Sequence, residues 1–247
     1  MLEVCVVIPT FHEEKNIVKL IPILFNTYKN LKIVVVDDSL NNLTIEAVNK
    51  LQSTYSNLFY IKRYKKMGRY SAIIEGMKFF VNKNVNFNYF VEMDADFSHP
   101  PEQISNFIKL ANEHQTDILI ASREVKGGKI VGYALFRYIL HHSAALLCKI
   151  FITNKIYDFF SAYRVYSKNV VTMIISNKNR KFNGFWGFGE TLVDVIINEG
   201  VIKEVPFTFK NRLHGKSSIS IVTIIITIFE IIAVGFIKLQ KKTRLKN

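Results

Sequence analysis

Residues 31–39 read LKIVVVDDS, a run of mostly β-branched apolar residues that stops on two adjacent carboxylates, Asp37 and Asp38. A strand that is apolar at nearly every position, rather than at alternate ones, is buried on both faces, as in a parallel sheet covered by helices. The neighbouring segments repeat the theme. Residues 4–9 form another such run, and residues 13–28 carry Ile17, Leu20, Ile21, Leu24 and Phe25 at helical spacing. Further on, the patterns predict helix over 43–55, strand over 58–62, helix over 68–81, strand over 88–93, helix over 100–113 and strand over 117–121. This alternation predicts an α/β fold, a mostly parallel sheet flanked by helices on both faces. Ligands of such sheets bind at the carboxyl ends of the strands. Three polar clusters fall there: Thr10-Phe11-His12-Glu13, Asp37-Asp38-Ser39 and Asp94-Ala95-Asp96. After about residue 124 the alternation breaks down. Gly127-Gly128 marks a loop, 133–152 is helical, and 163–166 and 202–209 read as strands.

The 247 residues suit one large domain with a substantial core, and 49% hydrophobic residues exclude a disordered chain. Two cysteines, Cys5 and Cys148, exclude a disulfide scaffold and offer no zinc cluster. The net charge of +13 admits nucleic acid, an anionic membrane or a phosphorylated substrate as partner. More than half of that excess, a net +7, lies in residues 203–247. There, residues 219–237 (ISIVTIIITIFEIIAVGFI) hold one formal charge, Glu230, and are followed by Lys238, Lys241, Lys242, Arg244 and Lys246. As a helix this segment is about 28 Å long, near the thickness of a bilayer core. A basic flank suits the anionic, cytoplasmic surface of a membrane.

The division expected is a catalytic domain over 1–218 and a hydrophobic, membrane-associated helix with a basic tail over 219–247, the catalytic domain facing the cytoplasm. Ser220, Thr223, Thr227 and Glu230 share one helical face. That stripe leaves three placements open: a spanning helix that pairs with a second copy or another membrane subunit, a helix lying in the interface, or a helix buried on the domain. MLEVCVVIPT lacks a basic n-region and runs straight into a strand, so it is not read as a signal peptide. No nucleic-acid-binding motif occurs, and nucleic acid is not an expected partner.

The chemistry is concentrated in MDADFSHPPE, residues 93–102. Asp94 and Asp96, one residue apart just past a buried strand, can both reach a hard divalent cation. Mg²⁺ or Mn²⁺ takes one or two carboxylates and completes its shell with substrate phosphates and water. Asp37 and Asp38 repel each other as neighbours, which favours a ligand role over a turn. Arg123, Arg137 and Arg212 are candidates for bidentate phosphate recognition opposite these acids.

The chain resembles the family-two glycosyltransferases with a GT-A (Rossmann-like) fold, and among them the dolichol-phosphate and polyprenyl-phosphate mannosyltransferases. The resemblance covers residues 4 to about 218. It rests on VVIPTFHEEKNI (6–17), VVVDDS (34–39), KKMGRYSAIIEG (65–76), MDADFSHPPE (93–102), ASREVKGG (121–128), FFSAYRVYSK (159–168) and EVPFTFKNRLHGKSS (204–218). It implies a nucleotide-sugar donor, GDP-mannose as best match, and a polyprenyl or dolichyl phosphate acceptor at a membrane, with inversion at the anomeric carbon. It further implies a nucleoside pocket from Pro9, Phe11, Glu13, Val36 and Asp38, and a metal and diphosphate site at Asp94, Ala95 and Asp96. Arg123 and Arg137 match positions that hold the lipid phosphate, Arg212 lies near the donor diphosphate, and Lys216 belongs to a closing loop.

Several positions depart from the pattern: Phe11 stands where Tyr is usual, Arg69 for Leu, Ser98 for Gln, His141 for Ser and Ala162 for Gly, and the late lysine is displaced to Lys216. Two other outcomes stay open at this point. One is transfer to a glycan hydroxyl with Glu190 as base, against a plain helix-start role for that residue. The other is a non-catalytic membrane scaffold of the same fold.

Overall fold

A computed structural model describes residues 2–63, 65–177, 184–210 and 221–244. The LKIVVVD run forms β2 (Leu31–Asp37), paired in parallel with β1 (Val4–Thr10) in a register that sets Val7 beside Val34 and Thr10 beside Asp37. Successive side chains of β2 point to opposite faces. Val34 and Val36 enter the core on one side of the sheet, Ile33 and Val35 the core on the other, and all four are fully buried. Each such burial is worth roughly 1.5–3 kcal/mol, which is why the run carries no alternation.

Two more strands extend this half: β3 (Leu58–Lys62) beside β2, and β4 (Tyr89–Glu92) beside β1, all parallel. The other half holds β7 (Arg164–Ser167), β5 (Ile118–Ser122) and β8 (Ile202–Pro206), giving the order β3-β2-β1-β4-β7-β5-β8. Only β7 runs against its neighbours, antiparallel to both β4 and β5.

One layer of helices is α1 (Glu14–Thr27), α2 (Leu43–Gln52) and α4 (Ile104–Glu113), the last entered through a 3₁₀ turn at Pro101–Gln103. The opposite layer contains α3 (Arg69–Asn82), α5 (Leu135–Phe151), α6 (Lys168–Ser176), α7 (Gly184–Ile197) and α8 (Ile221–Arg244). At Gly76 a Cβ would stand 2.5 Å from Val7 Cγ2, so glycine lets α3 sit directly on β1.

The strand expected over 202–209 is two elements. After β8 the chain steps out of the sheet at buried Phe207 and forms β9 (Thr208–Lys210), which pairs with the short β6 (Lys129–Val131). The step is held by Phe207 N–H donating to Ser122 O at 3.0 Å and by Phe207 O accepting from Lys129 N–H at 3.1 Å. This small ribbon stands above the carboxyl end of β5.

The apolar segment forms α8; of its polar stripe, Ser220 lies outside the described residues, and Glu230 faces α7. Glu230 accepts a hydrogen bond from the Phe185 amide at 2.9 Å at the start of α7, a favourable place for a carboxylate. Ile231 and Val234 are fully buried, and a Cβ at Gly235 would meet Phe151 Cβ at 2.9 Å. Thr223 and Thr227 line a cavity described below. Of that stripe, Glu230 is thus used within the molecule. Two cations expected to flank a membrane are also used internally: Lys238 Nζ donates to Ile152 O, and Lys241 pairs with Asp194.

Candidate active site

The sheet brings the three polar clusters to one edge, as its topology requires. Asp38 N–H donates to Thr10 O at 3.0 Å, and Met93 N–H to Val7 O at 3.3 Å, so the ends of β2 and β4 are tied to β1. The two adjacent acids do not act as a repelling pair. Asp37 is fully buried and accepts from Thr10 Oγ1 (2.9 Å), Ser39 Oγ (2.6 Å) and Tyr60 Oη (2.8 Å). Burial opposes its ionisation, but these hydrogen bonds, from Ser39, Tyr60 and Thr10, outweigh it and hold its pKa below the ordinary value. Asp38 is gripped by Arg63, Nε at 2.5 Å and Nη2 at 2.7 Å, and accepts the Met67 amide at 3.1 Å. Both charges are offset locally, so the repulsion argument fails as a reason to assign them a ligand. Around them, Phe11 is 40% exposed with Lys66 Nζ 4.5 Å over its ring, and Glu13 accepts from Asn16. Pro9 is half-buried and Val36 fully buried.

Beyond β4 the chain turns sharply. Asp96 Oδ1 accepts the Ser98 amide at 3.1 Å, and Phe97 takes a left-handed φ of 61°. Such a conformation costs a non-glycine residue about 1 kcal/mol or more. It folds the segment so that Asp94, Asp96, Ser98 and His99 line one cavity of about 330 Å³, with Ala95 buried beneath. His99 stacks on Tyr163, its Nδ1 accepts the Asp94 amide at 2.9 Å, and burial pushes its pKa down to about 4.

The opposite wall begins at the end of β5. Arg123 is buried and clasped by Asp158, with its backbone N–H (2.9 Å), Nε (2.7 Å) and Nη2 (2.6 Å) all donating to that carboxylate. Burial opposes the charge on both partners, and their mutual hydrogen bonds reverse it, raising Arg123 and lowering Asp158. Glu204 holds the acid in place by accepting the Tyr157 and Asp158 amides at 2.7 and 2.8 Å. Arg123 Nη1 also donates to Tyr133 Oη at 3.1 Å, and Arg137 lies 4.1 Å over the Tyr133 ring. His141 completes this wall: its ring contacts Glu124 at 3.0 Å, and burial together with Arg123 lowers its pKa. From there the cavity continues between α5 and α8 along Leu140, Ala144, Leu147, Ile224 and Ile228.

Four expected residues therefore share this cavity: Asp94, Asp96, Arg123 and Arg137. Pro9, Phe11, Glu13, Val36 and Asp38 sit at the adjoining strand ends, outside its lining. Arg212 and Lys216 lie outside the described residues. Glu190 is not at a helix start. It is buried in the middle of α7, does not line the cavity, and has Lys241 Nζ 3.4 Å from its Oε1. It is thus misplaced for a general base toward an acceptor in this cavity.

Residues that sequence patterns did not single out as partners are Arg63, Asp158, Tyr133 and His99. Arg63 and Asp158 have no local mark, because each acts through a contact distant in the chain, whereas His99 lies within the 93–102 motif and contacts Asp94 five residues away.

Among the described residues, no three His, Cys, Asp or Glu side chains gather to cage a metal. Two carboxylates on one cavity wall do fit a small hard cation that takes its other ligands from a diphosphate and water.

Comparison with known proteins gives the family and the fold. The model of Glycosyl transferase family 2 matches residues 5–174. A dolichol-phosphate mannosyltransferase of Pyrococcus furiosus is 34% identical over 224 residues, 88% of this chain, which spans only 59% of that relative's length. A polyprenol monophosphomannose synthase of Mycolicibacterium smegmatis is 29% identical over 87% of this chain and 80% of the relative. Two solved structures share the GT-A fold. Glucosyl-3-phosphoglycerate synthase from Mycobacterium tuberculosis, bound to Mn²⁺, UDP and glucosyl-3-phosphoglycerate, has a TM-score of 0.65 at 14% identity over 96% of this chain and 80% of that one. A mannosyltransferase from Pyrobaculum calidifontis, bound to GDP-Man and Mn²⁺, has a TM-score of 0.59 at 11% identity over 98% and 75%. Matched by the family model over most of its length and carrying the acids at its strand ends, the chain belongs to glycosyl transferase family 2.

Proposed function

We propose that this chain transfers a hexose, mannose from GDP-mannose as the best match, from a nucleotide sugar to a polyprenyl or dolichyl phosphate at a membrane surface. One observation carries the reading: a single cavity has carboxylates at one end, arginines beside them, and an apolar channel leading away between α5 and α8. A lipid phosphate needs those last two features together. The names of the P. furiosus and M. smegmatis relatives support the acceptor class, and the GDP-Man held by the P. calidifontis structure supports the donor.

In this reading Arg123 and Arg137 bind the acceptor phosphate and aim one of its oxygens at the anomeric carbon. Displacement from the face opposite the leaving group inverts the configuration. A phosphate acceptor is already ionised near neutral pH, so no general base is required, consistent with the remote position of Glu190. Asp94 and Asp96 would hold Mg²⁺ or Mn²⁺, which supplies positive charge to a departing diphosphate. Pro9, Phe11, Glu13, Val36 and Asp38 form the nucleoside side, and Arg212 and Lys216 are assigned to the donor phosphates on the resemblance alone.

Membrane attachment follows from the surface around the channel. On α5, Leu135, Phe136 and Ile150 are 75%, 69% and 66% exposed, and on α8 Phe229 and Phe236 are 68% and 60% exposed. Large apolar side chains exposed on two neighbouring helices support an interaction surface there. Glu230, Lys238 and Lys241 fasten the C-terminal half of α8 to the domain, which supports a helix lying in the interface beside α5 over one crossing the bilayer alone.

The test is transfer of labelled sugar from GDP-mannose and UDP-glucose, with Mn²⁺ or Mg²⁺, to a short-chain polyprenyl phosphate and to a glycan alcohol. Product on the lipid phosphate alone is expected. Product only on the alcohol, or no metal-dependent turnover with any donor, sinks the proposal.

A further inference from the structure

Arg69 is the first residue of α3, reached through Gly68 at a left-handed φ of 90°. Its side chain crosses to the end of β4 instead of pointing into solvent. Nε donates to Asp94 Oδ1 at 2.9 Å, Nη1 stands 3.5 Å from Glu92 Oε1, and Nη2 donates to Ala162 O at 3.0 Å. The guanidinium also lies 5.5 Å from the centre of the Phe188 ring. Glu92 is fully buried in the strand. Arg69 does not line the cavity, and it touches two residues that do, Asp94 through its side chain and Ala162 through its carbonyl.

Two physical consequences follow. With a guanidinium on Oδ1, that oxygen of Asp94 is a weaker ligand for a cation. In addition, a fixed positive charge stands behind the acid pair, in a half-buried place where charges are poorly screened. Arg69 shares this charge with buried Glu92, so it offsets part of the negative charge that Asp94 and Asp96 present to a divalent ion.

We infer that Arg69 is a positioning residue that makes metal binding at Asp94 and Asp96 conditional on the donor's diphosphate, by weakening the site for the bare ion. The inference rests on the reading of these two acids as the metal and diphosphate site. By linkage, the metal tightens the nucleotide by the same factor that the nucleotide tightens the metal.

The test is Mn²⁺ binding, followed by loss of the free-ion electron paramagnetic resonance signal, on the full chain in detergent with and without GDP or UDP. Wild type is expected to bind Mn²⁺ at least about tenfold more tightly with the preferred nucleotide than without it. Arg69→Gln should bind Mn²⁺ alone about fivefold or more tighter than wild type, and its coupling to nucleotide should shrink. Arg69→Lys, which keeps the charge, should stay near wild type. A merely structural role for Arg69 predicts weaker metal binding in both variants.

Should Arg69→Gln fail to fold because Glu92 loses its partner, Glu92→Gln serves in its place: it leaves the whole Arg69 charge to Asp94 and should weaken binding of Mn²⁺ alone. Unchanged or weaker Mn²⁺ binding in Arg69→Gln with wild-type coupling intact, or unchanged or tighter binding in Glu92→Gln, overturns the inference. A wild type that binds no Mn²⁺ with either nucleotide overturns the metal-site reading itself, and the inference with it.

Discussion

Each half of the sheet holds a buried arginine–aspartate fork, and the two are built in mirror fashion. In the parallel half the acid, Asp38, comes from the strand end, and Arg63 reaches back from beyond β3 to clasp it. In the mixed half the arginine, Arg123, comes from the strand end, and Asp158 clasps it from the loop before β7. The geometry is nearly the same, yet Arg123 lines the cavity while neither Asp38 nor Arg63 does. A charge at a strand end thus says little by itself. What matters is whether its holder leaves it an edge facing the substrate.

The comparison is bounded first at the acids between the halves. Asp96→Ala should lower sugar transfer by about 10²–10³-fold, since charge stabilisation of a leaving diphosphate is usually worth that much. It should leave the melting temperature nearly unchanged, and steady-state assays with thermal melts check both. Next, Arg123→Ala strands a buried Asp158 and should cost about 3 kcal/mol in urea denaturation. The sharper contrast uses lysine. Arg123→Lys should raise the KM for polyprenyl phosphate about tenfold through loss of the fork, whereas Arg63→Lys should leave that KM alone. Equal effects would erase the distinction between the forks.

Glycine replacements probe the same asymmetry more mildly. A Cβ at Gly128 would meet backbone, Ser122 O at 2.6 Å and Arg123 C at 2.7 Å, whereas at Gly76 it meets a valine side chain. Both Gly→Ala changes should cost about 1–3 kcal/mol, but only Gly128→Ala should also weaken acceptor binding, by shifting the strand end that carries Arg123. The smallest effect expected is on acid stability. The folded-state pKa values of Asp37 and Asp158 are depressed, so their stabilisation is complete above the unfolded value of about 3.9 and lost as pH falls through the folded values. Asp37→Asn should flatten stability against pH below about pH 4, a change readable in acid-denaturation curves.

The parallel half was legible because a strand buried on both faces has to be continuously apolar, and its helices show the 3.6-residue period. The mixed half was less so. Nothing in FFSAYRVYSK encodes the reversed direction of β7, which depends on its neighbours β4 and β5. GFWGFGETLVDVII looks too rich in glycine for a helix. Its glycines are there for contact, since a Cβ at Gly187 would fall 2.1 Å from the Tyr70 ring. At the cavity, Asp94, Asp96 and Arg123 sit in motifs just past strand ends, and Arg137 stands near the start of the helix that follows, α5. Asp158 and Arg63 have no such mark, because a residue that steadies another from 35 or 25 positions away leaves no local pattern.

The fastening of α8 bears on how the molecule could be divided. A membrane anchor is usually a detachable module, removed to give a soluble enzyme. Here the helix plugs a slot: Ile231 and Val234 fill the space over α7, Gly189 packs against Val234, and Glu230 satisfies the first amides of α7. Cutting the chain before residue 221 would uncover that slot together with one wall of the cavity. On the proposed function, the part that brings the protein to lipid would also be part of the vessel in which the lipid reacts.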